Sequence, residues 1–393
     1  MAVPSYDRSA LTAGVVHLSV GGFHRSHQAV YLDELARRGH TGWGILGVGL
    51  RRREMRDALL PQDCLYTVVE RGDGPDAARV VGAMRGYLFA PDRPEAVVDA
   101  LADERTRVVT LTVTGAGYEV DPGPQAGASA LPFLVAALDR RRRARREPFT
   151  VLSCDNVPAN GEVTRTAVMA VARRRDERLA RWIDERVAFP SSMVDRITPK
   201  TTAADRAFVA REFGVDDRWP VITEPYSEWI VEDAFGAERP PLEEVGVRFV
   251  ADVRPYALMK TRLLNASHCA LGYLGSLAGH ERADRAVADP VLRAYLVRMM
   301  DDEVTPLLPP VPEIDLPDYK RTLLERLANA KIGDRLARLC RAGSTKVPCH
   351  VLSSIVDRRA RGLAHPLLTL AVAAWCRYLR GIDEQGRKVA LED

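Results

Sequence analysis

The sequence predicts an α/β fold, a doubly wound parallel sheet of Rossmann type, followed by a mostly α-helical C-terminal domain. Three observations carry this. Short β-branched apolar runs alternate with helical patterns through the first 150 residues. A glycine pair separates the first strand from the first helix. From about residue 250 onward helical periodicity stands alone. At 393 residues the chain exceeds one ordinary core, and the change of texture sets the boundary between residues 1–251 and 252–393.

The elements follow in order. GVVHLSV (14–20) is a buried strand, and Gly21-Gly22 leads into FHRSHQAVYLDELARRG, a helix closed by Gly39 as its C-cap. WGILGVGL (43–50), RVVTLTVT (107–114) and FTVLSCDN (149–156) read as three further strands. Strands separated by helices imply a parallel sheet with ligands at the strands' carboxyl ends. Helical periodicity then runs through 256–303, 317–342 and 364–380, with a loop at 306–317. The run DRRRRARRE (139–147) ends a helix before Pro148, where cations suit the helix dipole and a solvated face explains them.

Composition excludes several classes. A formal charge of +3 is too small to argue for nucleic-acid or membrane partners, and no apolar run reaches the ~20 residues of a membrane span. The N-terminal segment MAVPSYDRSA lacks a signal-peptide apolar stretch. The six cysteines are scattered without a CxxC, as in a cytoplasmic protein with reduced thiols, and suggest neither a disulfide frame nor a zinc site. Only six of 56 basic residues are lysine, so a retained lysine draws attention to an ammonium that can lose its proton.

The segment Ser19-Val20-Gly21-Gly22-Phe23-His24 is an incomplete GxGxxG, with Ser19 at the first glycine. Such a loop offers backbone N–H groups to a pyrophosphate, which makes residues 1–251 a dinucleotide-binding domain. At the end of the second strand, Gly49-Leu50-Arg51-Arg52-Arg53 carries no carboxylate before Glu54. Arg51 and Arg52 suit a 2′-phosphate through bidentate bonds, so the sequence favours NADP(H) over NAD(H) by a narrow margin. An arginine-rich helix start in an arginine-rich chain has the same appearance.

In MKTRLLNASHCA (259–270), a pitch of ~100° per residue places Lys260, Asn265 and His268 within one arc of about 140°, interleaved with leucines. A desolvated lysine drops its pKa from ~10.4 towards the ~7–8 of a general base. A lysine snorkelling from a helix start, with Asn265 and His268 satisfying backbone groups, gives the same pattern. Asp155-Asn156 ends a strand where doubly wound folds place catalytic groups, although asparagine also forms turns there. Asp195-Arg196 lies between apolar residues and reads equally as a structural ion pair. His24 and His27 are spaced to share a metal, but no third ligand is evident, and a role orienting the helix start over the cofactor fits better.

Taken together these blocks resemble the polyol-specific long-chain dehydrogenase/reductase family, the mannitol 2-dehydrogenase group. The resemblance rests on Phe23-His24-Arg25-Ser26-His27-Gln28-Ala29, Ser153-Cys154-Asp155-Asn156, Met193 to Pro199, Glu224-Pro225, Trp229 and Glu232-Asp233. It continues with Lys260-x-Arg262-Leu263-Leu264-Asn265-x-x-His268, Asp334, Arg338, Gly343-Ser344-x-Lys346-x-Pro348 and Tyr378-Leu379-Arg380-Gly381. It implies a zinc-independent NAD(P)-dependent oxidoreductase, with a site between the two domains, that interconverts secondary alcohols and ketones of sugars.

By motif, Lys260 matches the catalytic acid/base, and Asn156 and Asn265 the pair that hydrogen-bonds the reacting oxygen. His268 matches a substrate-positioning histidine, and Arg338 and Lys346 match contacts to the polyol chain. Asp195 is expected to orient neighbours or relay protons. The expected partner is a small-molecule polyol, ketose or uronate, and either a monomer or a dimer is compatible. A hexuronate (fructuronate or tagaturonate) reductase of the same family is the first alternative, and a non-catalytic NAD(P)- or sugar-binding sensor the second. Departures from the family are Ser19, Gly115-Ala116 where Glu-Lys is common, and a sequence ending at DEQGRKVALED where many members continue. These bear on cofactor binding and on the pocket's far wall.

Overall fold

The computed structural model describes residues 1–119, 129–389, 391 and 393. The chain divides into two compact units: Met1–Arg71 with Pro75–Val253, and Gly72–Gly74 with Arg254–Asp393.

The first unit holds β1 (Val15–Leu18), β2 (Ile45–Gly49), β3 (Tyr66–Glu70), β4 (Ala77–Val81), β5 (Met84–Phe89) and β6 (Val108–Leu111). They are followed by β7 (Thr150–Ser153), β8 (Ser192–Asp195), β9 (Val221–Thr223), β10 (Glu228–Glu232) and β11 (Arg248–Val250). The main sheet has the order β5-β2-β1-β6-β7, with every neighbouring pair parallel. The chain thus starts in the middle, builds to one side, then returns to build on the other. The order reverses at β1 and β6, where an open α/β sheet presents a crevice at its carboxyl ends.

Both faces of this sheet are buried, as the continuous apolar runs anticipate. Val16, Leu18, Val109, Leu111 and Val151 enter one core with the helices Pro94–Ala102, Ala130–Arg143, Asn160–Arg175 and Glu177–Arg186. Val15, Ile45, Val108 and Leu152 enter the other, with the helix Gln28–Arg37 and two smaller sheets, β4-β3-β9 and β11-β10-β8. These smaller sheets are absent from the sequence reading. Their strands are only three to five residues long and lie among proline-rich loops, too short to show a period.

Three local expectations need correction. The first helix is broken at His27 (φ −118°, ψ −91°) into Gly22–Ser26 and Gln28–Arg37, although Gly39 does terminate it with φ 96°. The arginine run is not merely a solvated face. Arg141 is buried and donates to the carbonyls of Leu101 (3.2 Å), Glu147 (2.8 Å), Thr106 (2.6 Å) and Asp103. The fork of guanidinium donors satisfies a carbonyl in the last turn of the helix Pro94–Ala102 and loop carbonyls beyond it. The long helical patterns at 256–303 and 317–342 are each more than one helix, the first interrupted by turns with wider hydrogen bonding and the second by residues 328–335.

The second unit is helical. Arg254–Lys260 continues through a π turn, Thr261–Asn265, into Ala266–Leu277, which packs on Leu336–Cys340 and Pro366–Tyr378. Further π turns span Met299–Val304 and Pro348–Leu352. Residues 343–360, left without an element in the sequence reading, form Gly343–Val347, the third π turn and Ser353–Ala360. Among the described residues no helix is long and apolar enough to cross a membrane.

Candidate active site

In the first unit, β1 ends at Leu18 and the chain turns through Ser19, whose φ of 75° is a conformation that favours glycine. Two bonds hold the serine there: its N–H donates to Val48 O (2.8 Å), and Thr112 Oγ1 donates to its carbonyl (3.0 Å). The missing first glycine of the loop is thus accommodated at a cost in local strain. Beyond it, Gly21, Gly22 and Phe23 line a cavity of about 630 Å³ together with Arg51 and Arg52 from the end of β2 and the segment Thr198–Thr201. Five of the six residues expected to bind the cofactor therefore share one cavity.

The sixth, His24, is turned inward. It is buried beneath the loop, stacked on His17 with ring centroids 3.4 Å apart and planes 10° apart. His17 bonds Thr110 Oγ1 (2.8 Å) and Thr112 Oγ1 (3.1 Å), whereas neither His24 nitrogen has a partner among the described residues. Burial pushes His17 down to about 3 and His24 well below its ordinary value, the charges of His17, Arg25 and His27 adding to the latter. His27 lies against Phe23 and Trp229, with Nε2 at 2.9 Å from Glu228 O. Among the described residues no group of three His, Cys, Asp or Glu side chains is placed to hold a metal.

The stacked pair has a pH consequence. Each ring is neutral in the fold, while the unfolded chain takes up protons at about 6.5. The unfolded state therefore binds more protons on acidification, so stability is full above pH ~6.5 and is lost as pH falls towards 3. By pH 5 the loss is about 2 kcal/mol for His17, and His24 adds to it in the same direction. Urea unfolding at pH 7.5 and pH 5 is expected to show this drop, and His24→Phe, which keeps the stack, to shrink it. A drop unchanged in the variant would contradict the assignment.

Arg196 does not pair with its neighbour Asp195. It donates to Glu70 Oε1 (2.6 Å), Ser26 O (2.6 Å) and Glu224 O (3.0 Å), fastening the Gly22–Ser26 helix to β3 and the β9 loop. Ser26 Oγ and Thr198 Oγ1, 2.8 Å apart, tie the same helix to the Thr198–Thr201 wall of the cavity. At the end of β7, Asp155 is buried and accepts from Val113 N–H (2.9 Å), Thr114 N–H (2.8 Å) and Tyr118 O–H (2.7 Å). Burial pushes its carboxyl up despite these bonds. Asp155 thus pins the carboxyl end of β6, and Asn156 follows it, exposed, at the end of β7. Asp195 is the buried last residue of β8.

In the second unit, Lys260 ends a helix, Asn265 closes the π turn and His268 sits in the first turns of the next helix. The π turn alters the wheel drawn from sequence. At α pitch Lys260 and Asn265 stand about 140° apart, but π hydrogen bonding joins i to i+5 and brings such residues closer to one line. Lys260 and Asn265 are buried and His268 is half-buried. Asn265 Nδ2 has no hydrogen-bond partner among the described residues.

Lys346 is half-buried, with Nζ 3.4 Å from Leu339 O, and burial draws its ammonium below the ordinary value. Arg338 is held by an ion pair with Asp334. The sequence reading missed His350, on the π turn that packs against Thr261–Asn265. Burial, and then the ammoniums of Lys346 and Lys260, push it down to about 4, which places all three in one electrostatic neighbourhood. A lone histidine after a proline gives no periodic signal that would single it out. Asp155 was equally missed as a fastening residue, although it was quoted within its motif.

Comparison with known proteins agrees with this picture. Residues 13–244 match the mannitol dehydrogenase Rossmann domain family and residues 252–393 the mannitol dehydrogenase C-terminal domain family. Mannitol 2-dehydrogenase of Phaeosphaeria nodorum is 44% identical, over 100% of this chain and 73% of that protein. A mannitol dehydrogenase of Saccharomyces cerevisiae is 43% identical, over 100% and 82%. Among solved structures, Pseudomonas fluorescens mannitol 2-dehydrogenase in ternary complex with NAD and D-mannitol superposes with a TM-score of 0.93 at 43% identity, covering 100% of this chain and 84% of that one. A substrate-free D-sorbitol dehydrogenase gives 0.90 at 34% identity, covering 99% and 84%. By fold, by both halves of its sequence and by these relatives, the chain belongs to the mannitol dehydrogenase family of oxidoreductases.

Proposed function

We propose that the protein is an NAD(P)-dependent dehydrogenase interconverting a secondary alcohol and the ketone of a sugar polyol, of the mannitol/fructose kind. Residues 1–251 take the dinucleotide and 252–393 the substrate. The observation that carries this reading is a buried lysine and a buried, unpartnered amide donor set on one π turn, in a chain whose solved relative holds NAD and D-mannitol. The cavity at the β1 and β2 ends fits a dinucleotide: glycine backbone meets phosphates, and Arg51 and Arg52 stand where the adenosine ribose ends. Their charge supports NADP(H) as the somewhat better cofactor.

A bound nicotinamide supplies the hydride donor or acceptor. In reduction Lys260 protonates the developing alkoxide, and in oxidation neutral Lys260 takes the hydroxyl proton. Asn156 and Asn265 donate N–H bonds to the reacting oxygen, stabilising its charge without a further cation. His268 orients the substrate, Arg338 and Lys346 hold its chain of hydroxyls, and Asp195 orients the groups around it. An ammonium as acid and charge partner leaves no task that requires zinc.

The nearness of the Lys260 and Lys346 ammoniums to His350 favours one second reading, a hexuronate substrate whose carboxylate would meet those two ammoniums. The test is a panel of mannitol, arabinitol, fructose and fructuronate, each with NAD(H) and NADP(H). Mannitol oxidation and fructose reduction, with NADP(H) at least equal to NAD(H), are expected. Turnover of fructuronate alone would replace the polyol reading, and no turnover with any member would leave a binding protein.

A further inference from the structure

The feature without an assigned role is Tyr87, on the edge strand β5. It stands opposite Gly47 in the parallel register of β2 and β5, and its ring runs along β2 towards the carboxyl end. Glycines at 47 and 49, on one face of the strand, form the bed for it. A Cβ at Gly47 would come 3.3 Å from Tyr87 Cδ2; one at Gly49 would come 2.9 Å from Cζ and closer still to the hydroxyl. The alternation Gly-Val-Gly in ILGVGL therefore accommodates an aromatic ring as well as ending a strand.

The ring brings its hydroxyl over Gly49, at the end of β2. Tyr87 lines the 630 Å³ cavity with Arg51, Arg52 and Glu54, and also a neighbouring cavity of about 410 Å³ that contains Arg56 and Asp92. Its hydroxyl makes no hydrogen bond within the described residues. The end of β2 is where a doubly wound dinucleotide fold usually places the carboxylate that receives the ribose hydroxyl. In this chain no carboxylate stands there before Glu54.

The geometry points to Tyr87 as the group that recognises the adenosine ribose, in place of that carboxylate. This rests on reading the cavity as the dinucleotide site. A carboxylate accepts from a 2′-hydroxyl but repels a 2′-phosphate, so it selects NAD(H). A phenol donates to either one. Burial pushes the Tyr87 hydroxyl above its ordinary value, so it stays neutral and a donor throughout the working pH range. With Arg51 and Arg52 beside it, the site accepts both dinucleotides, and the hydroxyl counts for more with NAD(H), which has no phosphate for the arginines.

The test uses the full chain and Tyr87→Phe, titrated by fluorescence with NADH, NADPH and reduced nicotinamide mononucleotide, which has no adenosine. The variant is expected to bind NADH about 3- to 10-fold more weakly, the effect of one neutral hydrogen bond. NADPH should lose less, the mononucleotide nothing, and the melting temperature should be kept. Wild-type affinity for NADH in the folded variant would overturn the proposal. So would an equal loss for all three ligands, because that marks a structural role. If the wild-type protein binds neither dinucleotide, the cofactor reading itself fails, and Tyr87 with it.

Discussion

Lys260→Ala is expected to lower kcat by about 10⁴-fold while leaving dinucleotide binding and the melting temperature close to wild type. General acid–base groups contribute about 10²–10⁴-fold, and the upper end applies because the ammonium supplies both the proton and the only formal charge assigned to the reacting oxygen. In the wild type, oxidation rises with pH along a single ionisation, since only neutral lysine accepts the hydroxyl proton. In the variant that limb flattens, and a small primary amine added to the buffer restores part of the rate. NADH titration, calorimetry and pH profiles of both proteins check this. Near-normal turnover in the variant would remove Lys260 from the chemistry.

Asn265→Ala and Asn156→Ala are expected to lose about 10²–10³ in kcat each, the effect of losing one oxyanion donor. Asn265 separates a catalytic role from a structural one. Its Nδ2 is buried without a partner, so the fold bears a desolvation cost of about 1–3 kcal/mol for it. Truncation relieves that cost and opens a small void, two effects of opposite sign, so urea stability should change little while turnover collapses. A structural asparagine would show the reverse, with lost stability and retained turnover per folded molecule. Because the loss concerns a bond made to the developing charge, KM should move far less than kcat.

Much of this was legible in the residues. The four strands of the sheet that were read from sequence are continuous apolar runs with turn residues after them, and such runs form only when both faces are buried. The loop at Gly21-Gly22 and the arginines after β2 could be placed in one site because the parallel topology brings strand ends together. Other motif residues proved structural. Arg196, Glu224 and Trp229 join separate segments, Arg196 through carbonyls whose nearness no spacing reveals. His24 looked like a cofactor residue from its place in the loop, but the helix start turns it onto His17. Tyr87 and His350 gave no signal, because each matters through a neighbour distant in sequence: a glycine bed for one, a second π turn for the other.

The π turn at Thr261–Asn265 also limits how the chain can vary in length. Such a turn amounts to a helix with one residue too many, and deleting any one of residues 261–264 would restore ordinary i to i+4 bonding. Such a deletion would set Lys260 and Asn265 at i and i+4, about 40° apart at α pitch, so they would still share a face. An insertion would instead set them at i and i+6, about 120° apart at α pitch, and carry Lys260 off that face while both residues remained in the sequence. The segment should therefore tolerate loss of one residue better than gain of one, since the π turn already holds the surplus residue that the shared face allows.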